Sequence, residues 1–290
     1  MKHTTRFRAY SLSTEGASMT LSVEGHFTMI EARLNDDNCK AVVFEMGKAG
    51  VDRIDVLHIT SWDEDHCNPD ELNIILKHLK PRLIEYPSYE PHADSGKVSK
   101  KLIMGYNEGE KRRITPYVVR ACDKTPLKGR DIFYNPIVNN DDPQKANDNS
   151  LVKLFRVGSF VILSTGDCED ESIANSLAAD DILKSEVDVM IIAHHGSKNS
   201  INTPLLLDNL KPKFAICNVD RSNRYDHPDA VIRQRLISRG IPYLTTKDGD
   251  VLVKTIDTHT YKVMQHRKEG WVEHESNPFN AKTYYPNDVY

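Results

Sequence analysis

The chain has 290 residues, 39% of them hydrophobic and 28% charged, and a net charge of −4. That fits a soluble globular protein of one large domain or two small ones. No apolar run approaches the roughly 18–20 residues that cross a bilayer, and residues 1–12 lack the apolar core of a signal peptide. The five cysteines, Cys39, Cys67, Cys122, Cys168 and Cys217, form no C-x-x-C pair. They argue against a cysteine-based zinc finger and predict reduced thiols in a cytoplasmic protein.

Residues 5–12, 17–23, 26–33 and 40–46 read as strands of an antiparallel meander. A strand at 54–60 follows. Asn68 then caps a helix over 69–79, with Pro69 at its first position, Asp70 and Glu71 in its first turn, and Leu72, Ile75, Leu76 and Leu79 at helical spacing. After a short strand, Arg82–Tyr86, residues 87–148 read as an irregular insertion. Strands at 151–156 and 159–164 flank a hairpin turn at Val157-Gly158. A helix at 170–179 leads to the strand Val187–Ala193. Thr203 and Pro204 start a helix that leads to the strand Phe214–Val219. A helix at 229–239 ends at Gly240, and a last hairpin joins Tyr243–Thr246 to Val251–Ile256 through Asp248-Gly249. The pattern predicts an α/β sandwich of two mixed sheets with helices outside, over residues 1–265, followed by a tail at 266–290.

Polar clusters fall where strands end. Asp63, Glu64, Asp65 and His66 lie between the strand at 54–60 and the helix after it. Three acids and an imidazole in four positions repel one another unless water solvates them or a metal joins them. Ser164-Thr165-Gly166-Asp167 follows a second strand and His194-His195-Gly196-Ser197 a third. The loop after Phe214–Val219 reaches Asn223, Arg224, Tyr225, Asp226 and His227. Ligands of open α/β sheets bind beyond the carboxyl ends of strands. These clusters together predict a metal site.

At these residues the sequence resembles the metallo-β-lactamase superfamily, and within it the ComEC-like branch. Ser61-Trp62-Asp63-Glu64-Asp65-His66 stands where the superfamily has H-x-H-x-D-H. "ANDNSLVKLFRVGSFVILSTGD", "DVMIIAHHGSKNS" and "RYDHP" match later segments of that branch in order. The resemblance implies a four-layer αββα sandwich and a metal-dependent hydrolase. It carries over Asp65 and His66 as ligands, and Asp167 as the usual bridging carboxylate. His195 is the first choice for the final histidine ligand, with His194 and His227 as proton donor or phosphate contact. Ser61 and Asp63 replace two histidines, and Phe44-Glu45-Met46-Gly47 stands where an Asp precedes a Gly. One or two divalent ions (Zn, Mn or Mg) are implied. A set holding Asp63, Asp65 and Asp167 shifts preference toward manganese or magnesium relative to zinc. The position served by Asp65, His66 and Asp167 fills first, and that served by Ser61 and Asp63 is weak or empty.

Metal hydrolysis suits several electrophiles, and the ComEC-like resemblance points to nucleic-acid phosphodiesters, with Asp65 orienting the attacking water. From Lys97 to Arg130 ten basic residues stand against three acids, a local balance of +7. Lys111, Arg112, Arg113 and Arg120 are the candidate phosphate contacts, and Tyr106 and Tyr117 candidate platforms for bases. A solvated irregular region is the plainer account of the same segment. The expected partners are nucleic acid and a separately encoded protein, with no membrane, and the expected role is that of a toxin, repair enzyme or anti-phage effector. Two other functions compete. One is a catalytically impaired module that binds nucleic acid or a partner; the other is a hydrolase of a lactone, lactam or cyclic nucleotide.

Overall fold

The computed structural model describes residues 4–115, 130–134, 143–267 and 272–283. Its first strand, β1 (Thr5–Ala9), alternates: Phe7 and Ala9 are buried, and Arg6 and Arg8 point the other way. That period of two sets one face against a core and the other against a helix. The strands β2 (Met19–Val23) and β3 (His26–Ile30) extend β1 as an antiparallel meander. Next to them β4 (Val56–His58), β5 (Leu83–Pro87) and β6 (Glu110–Ile114) add in parallel. The second sheet holds β7 (Ile132–Tyr134), β8 (Val152–Phe155), β9 (Ile162–Ser164), β10 (Val189–Ile191), β11 (Phe214–Cys217) and β12 (Tyr243–Thr245). Its order is β12-β11-β10-β9-β8-β7, with β9 to β12 parallel. The chain then returns to the first sheet as β13 (Asp250–Asp257), beside β1, followed by β14 (Thr260–His266), β15 (Val272–Glu275) and β16 (Phe279–Asn280).

The sheets face each other across Phe7, Phe155, Phe160, Phe214, Val253 and Tyr261. Truncating such a side chain to alanine costs about 3–5 kcal/mol. Helices α1 (Cys39–Ala49), α2 (Pro69–Ile74) and α3 (Asp94–Gly105) cover the larger sheet. The smaller is covered by α4 (Glu171–Ala179), α5 (Asp181–Glu186), α6 (Pro204–Leu210) and α7 (Ala230–Ile237). The layers run helix, sheet, sheet, helix, the αββα sandwich the sequence implies. The expected caps form: Asn68 accepts from Asp70 N and Glu71 N, and Thr203 from Leu206 N. Among the described residues no helix is long and apolar enough to cross a membrane.

Four expectations need correction. Residues 40–46 form α1 rather than a strand: Val42, Glu45 and Met46 share its buried face, and Gly50 ends it in the left-handed region. The last hairpin does not form, because β12 pairs with β11 and β13 with β1, in different sheets. Gly249 sits at that crossing, where an added Cβ would lie 2.2 Å from the His266 carbonyl oxygen. The stretch 87–148 is not irregular throughout, since it supplies α3, β6, β7 and a 3-10 turn at Pro143–Asn149. The stretch read as a tail adds β15 and β16 to the larger sheet, with Phe279 packed on the inter-sheet core.

Candidate metal centre

Three strand ends meet at one edge of the sandwich. Beyond β4 a turn closed by His66 N to Asp63 O, 2.9 Å, presents Asp65 and His66. Beyond β9 comes Asp167, and beyond β10 come His194 and His195. His194 N donates to Gly166 O at 3.0 Å, which ties the last two ends together. One ligand atom each from Asp65, His66, Asp167 and His195 lies within 4.8 Å of all the others. Two of these residues come from each sheet.

The imidazoles are aimed from behind. His66 Nδ1 lies 3.1 Å from Glu31 Oε1, which leaves Nε2 facing the group. His195 Nδ1 donates to the Asn218 carbonyl at 2.7 Å, so its Nε2 also faces inward, 3.2 Å from Asp65 Oδ2. Glu31 is itself held by Thr60, whose amide donates to Oε2 at 3.0 Å. A partner behind each ring, fixing which nitrogen is offered, is how proteins orient histidine ligands.

The electrostatics call for a cation. Burial works against charge on His66, yet Asp167, Asp65 and Glu31 hold its pKa well above the usual imidazole value. Burial likewise opposes charge on His195, and Asp167 and Asp65 raise it to about 9. Asp65 and Asp167 are held below the carboxylate range despite their burial, by His66 and His195. Protons on two imidazoles thus supply the positive charge that three carboxylates demand. A divalent ion meets the same demand. His66 Nε2 supports the fit: it lies 2.9 Å from Asp167 Oδ2 yet is buried with no properly directed hydrogen bond. Two carboxylates and two imidazoles form a donor set suited to zinc or manganese.

The other expected residues fall at different places. His194 and His227 line a cleft of about 390 Å³ that opens beside Asp65 and His195. His194 Nδ1 lies 2.7 Å from Glu169 Oε1, and His227 stacks on Tyr225 with ring centroids 5.7 Å apart. Burial, with His195 and His194 nearby, lowers the His227 pKa. Asp63 stays outside the four-residue group; its carboxylate accepts from Ser61 Oγ at 3.0 Å. Glu45 is remote from the centre, where it pairs with Arg6 and Arg8. Glu31, Glu169 and Asn218 were not foreseen. The one signal for Glu31 was its place at the end of β3, the same position that marks the other clusters.

The basic residues lie elsewhere. Lys111, Arg112 and Arg113 run along β6, the edge of the larger sheet and two strands from β4. Lys111 Nζ donates to the Tyr106 carbonyl at 2.8 Å, and Arg112 Nη1 to Glu85 at 3.3 Å. Tyr106 is buried, with its hydroxyl bonded to the Pro81 carbonyl, so it offers no stacking face. Arg120 and Tyr117 lie outside the described residues.

No protein-family model matches the sequence. The chain is 30% identical over 203 residues, 70% of its length, to ComE operon protein 3 of Bacillus subtilis (strain 168), and 29% identical over 103 residues to Competence protein ComA of Neisseria gonorrhoeae. These matches span only 25% and 14% of the two relatives. Among solved structures, the E377D mutant of the β-hydroxylase CmlA overlays 82% of the chain at TM-score 0.50 and 12% identity, covering 52% of that protein. Tm1679, a metal-dependent hydrolase of the β-lactamase superfamily, overlays 83% of the chain at TM-score 0.48 and 12% identity, covering 95% of that protein. In its motifs and its curated relatives the chain resembles the ComEC-like branch of the metallo-β-lactamase superfamily, and it shares the layered αββα fold.

Proposed function

We propose that the chain is a metal-dependent phosphodiesterase, with nucleic acid as its substrate class. The observation that carries the reading is the convergence of Asp65, His66, Asp167 and His195 at the wall of an open cleft. A divalent ion held there supplies Lewis acidity and screens negative charge on the electrophile. The chain's own groups divide the remaining work. Glu31 and Asn218 keep the Nε2 atoms of His66 and His195 turned inward. Asp65, the most exposed of the four, faces the cleft and orients the attacking water. His194, backed by Glu169, gives a proton to the leaving oxygen. His227 lines the same cleft, and in this reading it contacts the phosphate. The ComEC-like resemblance and the basic edge strand support a polymeric substrate over a small lactone or lactam.

The test begins with the metal content of the purified protein. Hydrolysis of bis(p-nitrophenyl) phosphate and of single- and double-stranded nucleic acid is then measured with manganese, magnesium and zinc. Hydrolysis of diesters that chelator stops and one of these metals restores is the expected result. Bound metal with turnover of lactones alone would replace the proposal by a small-molecule hydrolase. Nucleic-acid binding with neither metal nor turnover would replace it by a binding module.

A further inference from the structure

Two loops from opposite sheets meet above the metal centre. One joins β1 to β2 and carries Glu15; the other follows β11 and carries Arg224 and Tyr225. Arg224 Nη2 lies 2.5 Å from Glu15 Oε1. The same guanidinium sits 4.7 Å over the Tyr225 ring and donates to its hydroxyl at 2.6 Å. Both charged side chains are about half exposed, Arg224 at 61% and Glu15 at 48%. A pair that open to water adds little stability. It sets the two groups in place and parts easily.

Both ends rise from pinned backbone. The Glu15 loop is fixed against the metal loop: its carbonyl accepts from the buried Arg33, and Ala17 N donates to Asp65 O at 3.1 Å. Between them Gly16 has φ +131°, and an added Cβ would lie 2.3 Å from the Asp65 carbonyl oxygen. The base of the other loop is also pinned, since Asp220 accepts from Ser222 N and Asn223 N, and Asn223 Oδ1 from His227 N. With both backbones pinned, what can move is the paired side chains themselves, Arg224 being the more exposed of the two.

Its position says where it would go. Glu15, Asp65 and Asp220 line both the cleft over the metal centre and a second groove that Arg224 lines. The ion pair stands where the two openings meet. A guanidinium binds carboxylate and phosphate with the same planar fork, so it can leave one for the other. We propose that Arg224 is the anchor for a substrate phosphate, held ready by Glu15 until that phosphate displaces the carboxylate. This rests on the phosphodiester reading above. The step exchanges one ion pair for another; no covalent bond forms or breaks. Stacking on Tyr225 keeps the fork oriented while it is exchanged.

The test compares the manganese-loaded wild type with Arg224→Ala, Arg224→Lys and Glu15→Gln. Inorganic phosphate is titrated by calorimetry, and kinetics are measured on bis(p-nitrophenyl) phosphate. An ion pair this exposed predicts that Arg224→Ala weakens phosphate by up to about fivefold. KM for the diester should rise by a similar factor, with kcat much less affected. Arg224→Lys should restore part of the affinity, and Glu15→Gln should tighten phosphate by freeing the guanidinium. Phosphate affinity unchanged in both Arg224→Ala and Glu15→Gln would overturn the proposal, as would a loss in kcat without a rise in KM. A wild type that binds phosphate through Arg224 but does not cleave the diester would sink the phosphodiesterase reading and leave the anchor standing.

Discussion

Two buried clusters of charge bridge the same pair of sheets, and they are balanced in opposite ways. One is the metal centre. The other joins Glu85 on β5 to Lys153 on β8 at 2.9 Å, with His58 Nδ1 at 3.1 Å from Glu85 and Asp131 at 3.2 Å from the lysine ammonium. The rings of Phe133 and Phe155 close over that ammonium at 4.8 and 4.6 Å. In this second cluster the chain supplies its own cation. Burial opposes charge on Lys153, and Glu85 and Asp131 hold its pKa above the ordinary value. At the metal centre no lysine or arginine joins the three carboxylates among the described contacts; only imidazoles do. A site that carries its own cation is structural cement. A site that leaves the cation out, beside an open cleft, is a candidate for binding one.

Removing a ligand should give the largest effect. Asp167→Ala is expected to abolish diester hydrolysis and to lower metal occupancy sharply, with little change in the melting temperature of the metal-free protein. Metal analysis and calorimetry check both. Unchanged occupancy would erase the contrast between the clusters. The opposite pattern is expected for Lys153→Met, which takes the buried ammonium from Glu85 and leaves it only His58 and the half-exposed Arg112. Such a deletion costs about 3–5 kcal/mol. Denaturant unfolding should show that loss, while metal affinity stays near the wild-type value.

Glu31→Gln sharpens the comparison further. It keeps the shape behind His66 but removes the charge, and changes of this kind lower metal affinity about 10–100-fold. A competitive chelator titration measures it. The smallest effect concerns pH. Burial pushes the Glu85 carboxyl up, but Lys153 and His58 pull it down to about 2, below its ordinary 4.5. A depressed acid contributes stability that is present above about 4.5 and is lost as pH falls toward about 2. Acid unfolding of the wild type should therefore be steeper between those values than that of Glu85→Gln. Equal slopes would mean that the second cluster is not held by charge.

The four converging residues were legible because each sits in a short run of Asp or His just past a strand, a signal local in sequence. What supports them was not. Glu31 meets Thr60 across 29 positions, and no local pattern ties an acid at the end of β3 to a threonine after β4. α1 was misread for a related reason. Ala41-Val42-Val43-Phe44 has strand composition, and the helix prevails because Val42 and Met46 pack on the sheet while Glu45 reaches Arg6 and Arg8. Asp248-Gly249 carries the local signal of a hairpin, but the partners of β12 and β13 are set by distant strands in two different sheets. The basic segment showed its charge in the sequence but not the place of Lys111, Arg112 and Arg113, on the outermost described strand of the larger sheet. Lysines and arginines there also block pairing with other chains.

The origin of the four converging residues in two sheets has a mechanical consequence. His195 reaches Asp65 across 130 positions of chain. An ion seated between them closes a loop of that length and fastens one sheet to the other. Prising the sandwich open must then break coordination before the layers separate, so the loaded protein should unfold far more slowly than the stripped one. The ion would serve as a clasp on the fold as well as a reagent, and protease resistance over time would follow its presence.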